Sequence, residues 1–179
     1  MTLIEVLIGL GIMAILSAVL IPQIVQRQRS GRAAAIASNI TAIRTAALEF
    51  RKAVGRYPSQ VAHLSTLPAV GSTDLCGRVV PFDFGPVWQG PYIQQTVTAS
   101  GIRVGDATIQ NAIGRNPATL AGGVLANLLI NVSDVDLQVA MVIENAMDSA
   151  VDLAAGTIRW ANVADDRGTL TMVVPVRGC

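Results

Sequence analysis

The first 26 residues, MTLIEVLIGLGIMAILSAVLIPQIVQ, contain one charged side chain, Glu5. Between residues 6 and 22 the only polar side chain is Ser17. As a helix, residues 1–22 would rise roughly 33 Å, about the thickness of a bilayer's hydrocarbon core. The segment is therefore long and apolar enough to span a membrane.

A secretory signal peptide needs a basic stretch ahead of its apolar run, and no Lys or Arg precedes Arg27. An ordinary anchor would not hold an acid either, because a carboxylate inside a spanning helix costs roughly 2.5–3.5 kcal/mol and calls for a partner. The nearest available cation is an α-amine at Met1. On one continuous helix that amine and the Glu5 carboxylate lie about 6 Å apart along the axis and diverge around it. A neighbouring chain shifted by one short step brings them together more easily, and the product is a stack of helices.

After Pro22 the helical pattern resumes. Ile36, Ile40, Ile43, Ala47, Phe50 and Val54 recur at alternating spacings of four and three, which puts one apolar stripe on a helix. Arg44, Arg51 and Lys52 fall largely off that stripe. Gly55 ends the helix and Tyr57-Pro58 turns the chain away.

Met1-Thr2-Leu3-Ile4-Glu5-Val6, the apolar run, Pro22 and the later Phe50-Arg51-Lys52-Ala53-Val54-Gly55-Arg56-Tyr57-Pro58 together resemble the mature N-terminal half of a type IV pilin or pseudopilin. Met1 at the start, with Leu10-Gly11-Ile12-Met13, is closest to the type IVb pilins. The resemblance covers roughly residues 1–58; beyond it, Trp88-Gln89-Gly90-Pro91-Tyr92 is similar to a loop of major pseudopilins. It implies an α+β, pilin-like fold: a long N-terminal hydrophobic helix packed on a C-terminal globular head with an antiparallel sheet. Residues 1–54 would be the pilin helix, 1–24 its membrane or filament-core segment, and 55–179 the head, about 125 residues and an ordinary domain size.

The resemblance also implies a history and a function. A prepilin peptidase removes a basic leader, Met1 is N-methylated, and assembly machinery draws subunits from the inner membrane into a helical homopolymer, with Met1 and Glu5 as the assembly contact. Methylation leaves the amine positive, so the pairing argument survives it. The filament is extracellular for a pilus and periplasmic for the major pseudopilin of a type II secretion system. A minor tip pilin that binds a surface ligand and a plain single-pass membrane protein are the remaining readings.

Cys76 and Cys179 are the two cysteines. In a head outside the cytoplasm they read as a disulfide closing a loop of about 103 residues, a constraint of up to roughly 4–5 kcal/mol, and pilins often tie down the C-terminal segment this way. Two unpaired buried thiols are the alternative. Pro22 inside a helix that already holds Gly9 and Gly11 predicts a kink or an unwound stretch between Gly11 and Pro22 in the assembled state.

Other classes find little support. The formal net charge is +1, with twelve of thirteen basic residues arginine and scattered, so nothing points to a specific nucleic acid. One histidine, His63, read as a surface or loop residue, and no Cys-x-x-Cys argue against a metal site. No nucleophile–base pair or glycine-rich phosphate loop occurs, so neither an enzyme nor a cofactor is expected. Asp134 with Asp136, and Asp165 with Asp166, lack calcium-loop spacing and read as caps and turns. Asn39 and Asn131 open chance-level glycosylation triplets.

The rest of the head reads as loops over 59–117, with Trp88 and Tyr92 packing one of them on the core. A helix is expected at about 117–130, started by Asn116-Pro117. Another is expected at about 134–148, capped by Ser133 with Asp136 and burying Val135, Val139, Val142 and Ala146. Residues 157–163 and 169–176 read as a hairpin around Asp165-Asp166-Arg167-Gly168.

Overall fold

The structure, a computed structural model, describes residues 2–80, 84–120, 123–148 and 152–177, without the side chains of residues 19, 117–120, 123–125 and 162. It is an α+β fold. A 52-residue helix, α1 (Leu3–Val54), is followed by a short α2 (Ala62–Ser65), then β1 (Gly101–Val104), β2 (Ala107–Leu120), β3 (Gly123–Asp136), α3 (Leu137–Asp148), β4 (Ile158–Ala164) and β5 (Arg167–Arg177). The strands form one antiparallel sheet in the order β1-β2-β3-β5-β4.

The expected stripe on α1 is the buried one. Ile36, Ile40, Ile43, Ala47 and Phe50 are buried, joined by Ala33 and Ala46, while Arg44 and Lys52 face solvent. Helix α1 ends as expected at Gly55, whose φ of 77° suits a residue without Cβ and whose N–H donates to the Arg51 carbonyl at 2.7 Å. The stripe meets Ile109 and Ile113 of β2, Leu128, Ile130 and Val132 of β3, and Leu170, Met172 and Val174 of β5 in one core. Along β5 buried and less buried residues alternate from Gly168 to Val176, as the period of a strand requires.

The helix expected at 117–130 is instead β2 and β3. From Ala126 to Val132 buried Ala126, Leu128, Ile130 and Val132 alternate with half-buried Asn127, Leu129 and Asn131, a period of two that excludes a helical stripe. Pro117 is accommodated because β1 pairs with β2 only as far as Gln110. Ile113, of the same parity as Pro117, donates its N–H away from β3 to the Ser59 carbonyl at 2.9 Å. At residue 117 no strand among the described residues pairs on that outer side, so a missing N–H breaks no ladder bond.

Helix α3 begins three residues later than its expected start. Strand β3 continues to Asp136, with an irregularity between Val132 and Val135 where Asp134 takes φ 61°. Asp136, not Ser133, caps the helix: its Oδ1 accepts the N–H of Gln138 at 2.8 Å. The buried face of α3 falls on Val139, Ala140 and Ile143, leaving Val142 and Ala146 exposed; Val135 is buried, but in the strand. The C-terminal hairpin forms as expected. Its turn is tighter, with Asp165 and Asp166 at φ 48° and 57°, the positive values that a two-residue type I′ turn needs at both central positions.

Candidate functional site

The structure leaves one large surface unpartnered. Every described side chain from Leu3 to Arg32 is exposed, a length of roughly 45 Å of helix. Burial begins at Ala33. Leu3, Ile4, Leu7, Ile8, Leu10, Ile12, Met13, Ile15, Leu16, Leu20, Ile21 and Ile24 each keep more than half of their surface exposed. An 18-residue window of the helix reaches a mean hydropathy of 2.6 with none of it buried. The helix is thus long and apolar enough to cross a membrane. Its apolar residues surround the axis, so no orientation against the head would shield them all. Monomeric proteins rarely expose contiguous apolar patches of more than a few hundred Å².

Glu5 is exposed in the first turn, and its Oε2 accepts the backbone N–H of Thr2 at 3.4 Å. That is one arm of a capping box, and it gives the carboxylate a role inside its own chain. Sequence reading missed it, although Thr2-Leu3-Ile4-Glu5 carries the Thr-x-x-Glu spacing that signals it. Met1, expected as the methylated assembly residue, lies outside the described residues.

At the other end of the apolar stretch Arg27 and Arg29 are exposed, and Arg32 forms an ion pair with Asp106 at 3.1 Å. Both partners are about half exposed, so the pair is worth at most about 1 kcal/mol, yet it sits at the junction where α1 meets the head. Gly11 and Pro22 lie within the unbroken α-helix, with no interruption at either in the single chain. The expected departure from helix concerns the assembled state. Pro22 still withholds an N–H from the carbonyl of Ala18, a weak point in the ladder that no head residue supports.

Cys76 is half-buried and disulfide-bonded; Cys179 lies outside the described residues. The turn that presents Cys76 is organised by Asp74, whose side chain is 3 % exposed. Asp74 Oδ1 accepts the N–H groups of Cys76 and Arg78 at 2.9 and 2.8 Å, and Oδ2 accepts Arg78 Nε at 2.9 Å and Arg56 Nη1 at 3.4 Å. Sequence reading passed over Asp74 because its two arginines reach it from opposite sides of the chain.

Tyr92 stacks edge-on to Phe50 at 5.7 Å and to Trp88 at 6.0 Å, fastening the loop to α1 as expected. A Cβ on Gly90 would come within 2.3 Å of the Trp88 ring, so only glycine fits there. His63 departs from the expected surface position: it is half-buried in α2, and burial lowers its pKa from 6.5. Asn131 Oδ1 accepts the Thr171 hydroxyl at 2.9 Å across the sheet. No protein-family model matches this chain, nor does any curated protein or solved structure.

Proposed function

We propose that this chain is a structural subunit that polymerises into a type IV pilus-like filament through α1. The observation that carries the reading is the exposed, all-round apolar helix from Leu3 to Val25, with Glu5 as its only charge. Such a helix needs a non-aqueous surround. A bilayer supplies one before assembly and the packed helices of neighbouring copies supply one afterwards. Glu5 gives the second state its register, because a carboxylate in that core needs a cation and a processed N-terminal amine on the next subunit provides it. The pilin-like sequence of residues 1–58 and the core that the buried stripe of α1 shares with β2, β3 and β5 support the same reading.

In this reading the subunit resides in the inner membrane and then in an extracellular fibre. The Trp88–Tyr92 loop favours a second reading, the major pseudopilin of a type II secretion system, whose polymer stays in the periplasm. Electron microscopy of cells producing the full chain, with mass spectrometry of the intact subunit, tests both. Long fibres outside the cell containing an N-methylated subunit are the expected result. Short periplasmic assemblies would select the secretion reading, and a chain that stays monomeric in the membrane would defeat both.

A further inference from the structure

The head contains a second unusual feature, a groove of about 500 Å³ between the C-terminal end of α3, the 152–157 loop and the adjoining ends of β3 and β5. No residue of α1 lines it. Glu144 lines it from α3 while only 1 % exposed, and the N–H of Asp152 donates to its Oε1 at 2.8 Å. Its Oε2 is buried and has no hydrogen-bond partner among the described residues. Asp148 Oδ2 accepts the N–H groups of Thr157 and Ile158 at 2.8 and 2.9 Å, and Asp152 Oδ1 accepts that of Ala154 at 3.1 Å. Among the described residues three carboxylates thus line the groove against one basic side chain, Arg159, and backbone amides satisfy part of each.

An unpaired buried oxygen is costly, and on an ionised carboxylate it can only accept, so the group that completes Glu144 is a hydrogen-bond donor. The surplus of negative charge selects a cationic donor. Among the described residues no group of three or more His, Cys, Asp or Glu is placed to hold a metal ion, which favours an N–H cation. We infer that this groove binds a guanidinium or ammonium group, whose N–H donors reach Glu144 Oε2 while Asp148 and Asp152 supply the attracting field. The volume admits a small alkylguanidine or amine, or an arginine side chain from a second copy of this chain. The site lies in the head and does not depend on filament formation.

The full chain in detergent micelles, ¹⁵N-labelled, is titrated with butylguanidinium and with N-butylurea, its uncharged isostere. Saturable shifts of the Asp152 and Thr157 amides are expected with the cation, and binding at least about tenfold weaker with the urea and with Glu144→Gln. Asp152→Asn, at an exposed position that leaves the Glu144 hydrogen bond intact, is expected to weaken binding about threefold. Concentrating unlabelled chain against labelled chain separates the sources: the same shifts, absent in Glu144→Gln, identify an arginine of a second copy, and their absence identifies a free cation. No saturable shift, equal binding of cation and urea, or binding unchanged in both variants would overturn the inference.

Discussion

The Oε2 of Glu5 and the backbone N–H of Thr2 are 3.4 Å apart, so in the single chain the only charge of the apolar segment closes the start of its own helix. Capping and intersubunit pairing use the carboxylate differently. A cap needs an acceptor oxygen, which glutamine also has, whereas pairing with an amine in an apolar core needs the negative charge. Glu5→Gln therefore separates them. Filament yield, read from the fraction sheared off cells, is expected to fall at least roughly tenfold, with the subunit still folded and in the membrane. Normal yield would leave Glu5 with the capping role alone.

Pro22→Ala restores a donor opposite the Ala18 carbonyl. If the stretch between Gly11 and Pro22 unwinds on assembly, the variant filament is expected to be stiffer or to have a changed rise per subunit, while the isolated subunit is unaltered or slightly more stable. Filament reconstruction measures both. A wild-type filament with straight, continuous helix through Pro22 would remove the premise.

Cys76 is expected to be joined to Cys179, and non-reducing peptide mapping of the full chain checks the pair. Replacing either with serine should expose the end of β5 to protease and lower stability by about 2–5 kcal/mol. Free thiols at both positions in the full chain isolated from cells would end this assignment.

Asp74→Asn keeps the shape of the side chain but leaves Arg56 and Arg78 without their shared carboxylate. A loss of about 2–4 kcal/mol is expected, since the aspartate is buried while its arginines are partly exposed. Thermal unfolding of the full chain in detergent reads it, and a change under about 0.5 kcal/mol would place the stability of the Cys76 turn elsewhere.

The pKa of His63 lies below its ordinary 6.5 because burial disfavours the charged ring. The unfolded chain thus binds the proton more readily. The associated stability is complete above pH 6.5 and is lost as pH falls through the lowered folded value. His63→Gln is expected to flatten that part of the stability–pH curve. An unchanged slope would assign it to other groups.

The hairpin of β4 and β5 and the boundaries and buried stripe of α1 were legible because local chemistry writes them directly. Gly55 can take the left-handed conformation, Asp165 and Asp166 tolerate it, and a stripe at spacings of three and four has one structural meaning. The misreading of 117–130 came from giving Asn116-Pro117 more weight than the alternation of Ala126, Leu128, Ile130 and Val132 with Asn127 and Asn131, a pattern that Leu129 obscures. Without the sheet, nothing local shows that residue 117 lies on an open edge where a proline breaks no bond. The three-residue error at α3 has the same origin, since Ser133 and Asp136 are both good caps and the pairing of β3 with β5 decides between them.

The sequence by itself determined a long helix whose apolar stretch up to Gln26 carries one charge, because composition and periodicity along one helix are local quantities. Tertiary structure alone decided which acids are buried. Asp74 gathers two arginines 22 residues apart, and Glu144 is sealed on α3 with one oxygen unmatched. In sequence both are ordinary surface residues; burial and pairing depend on what the fold brings from a distance, and no spacing along the chain encodes that.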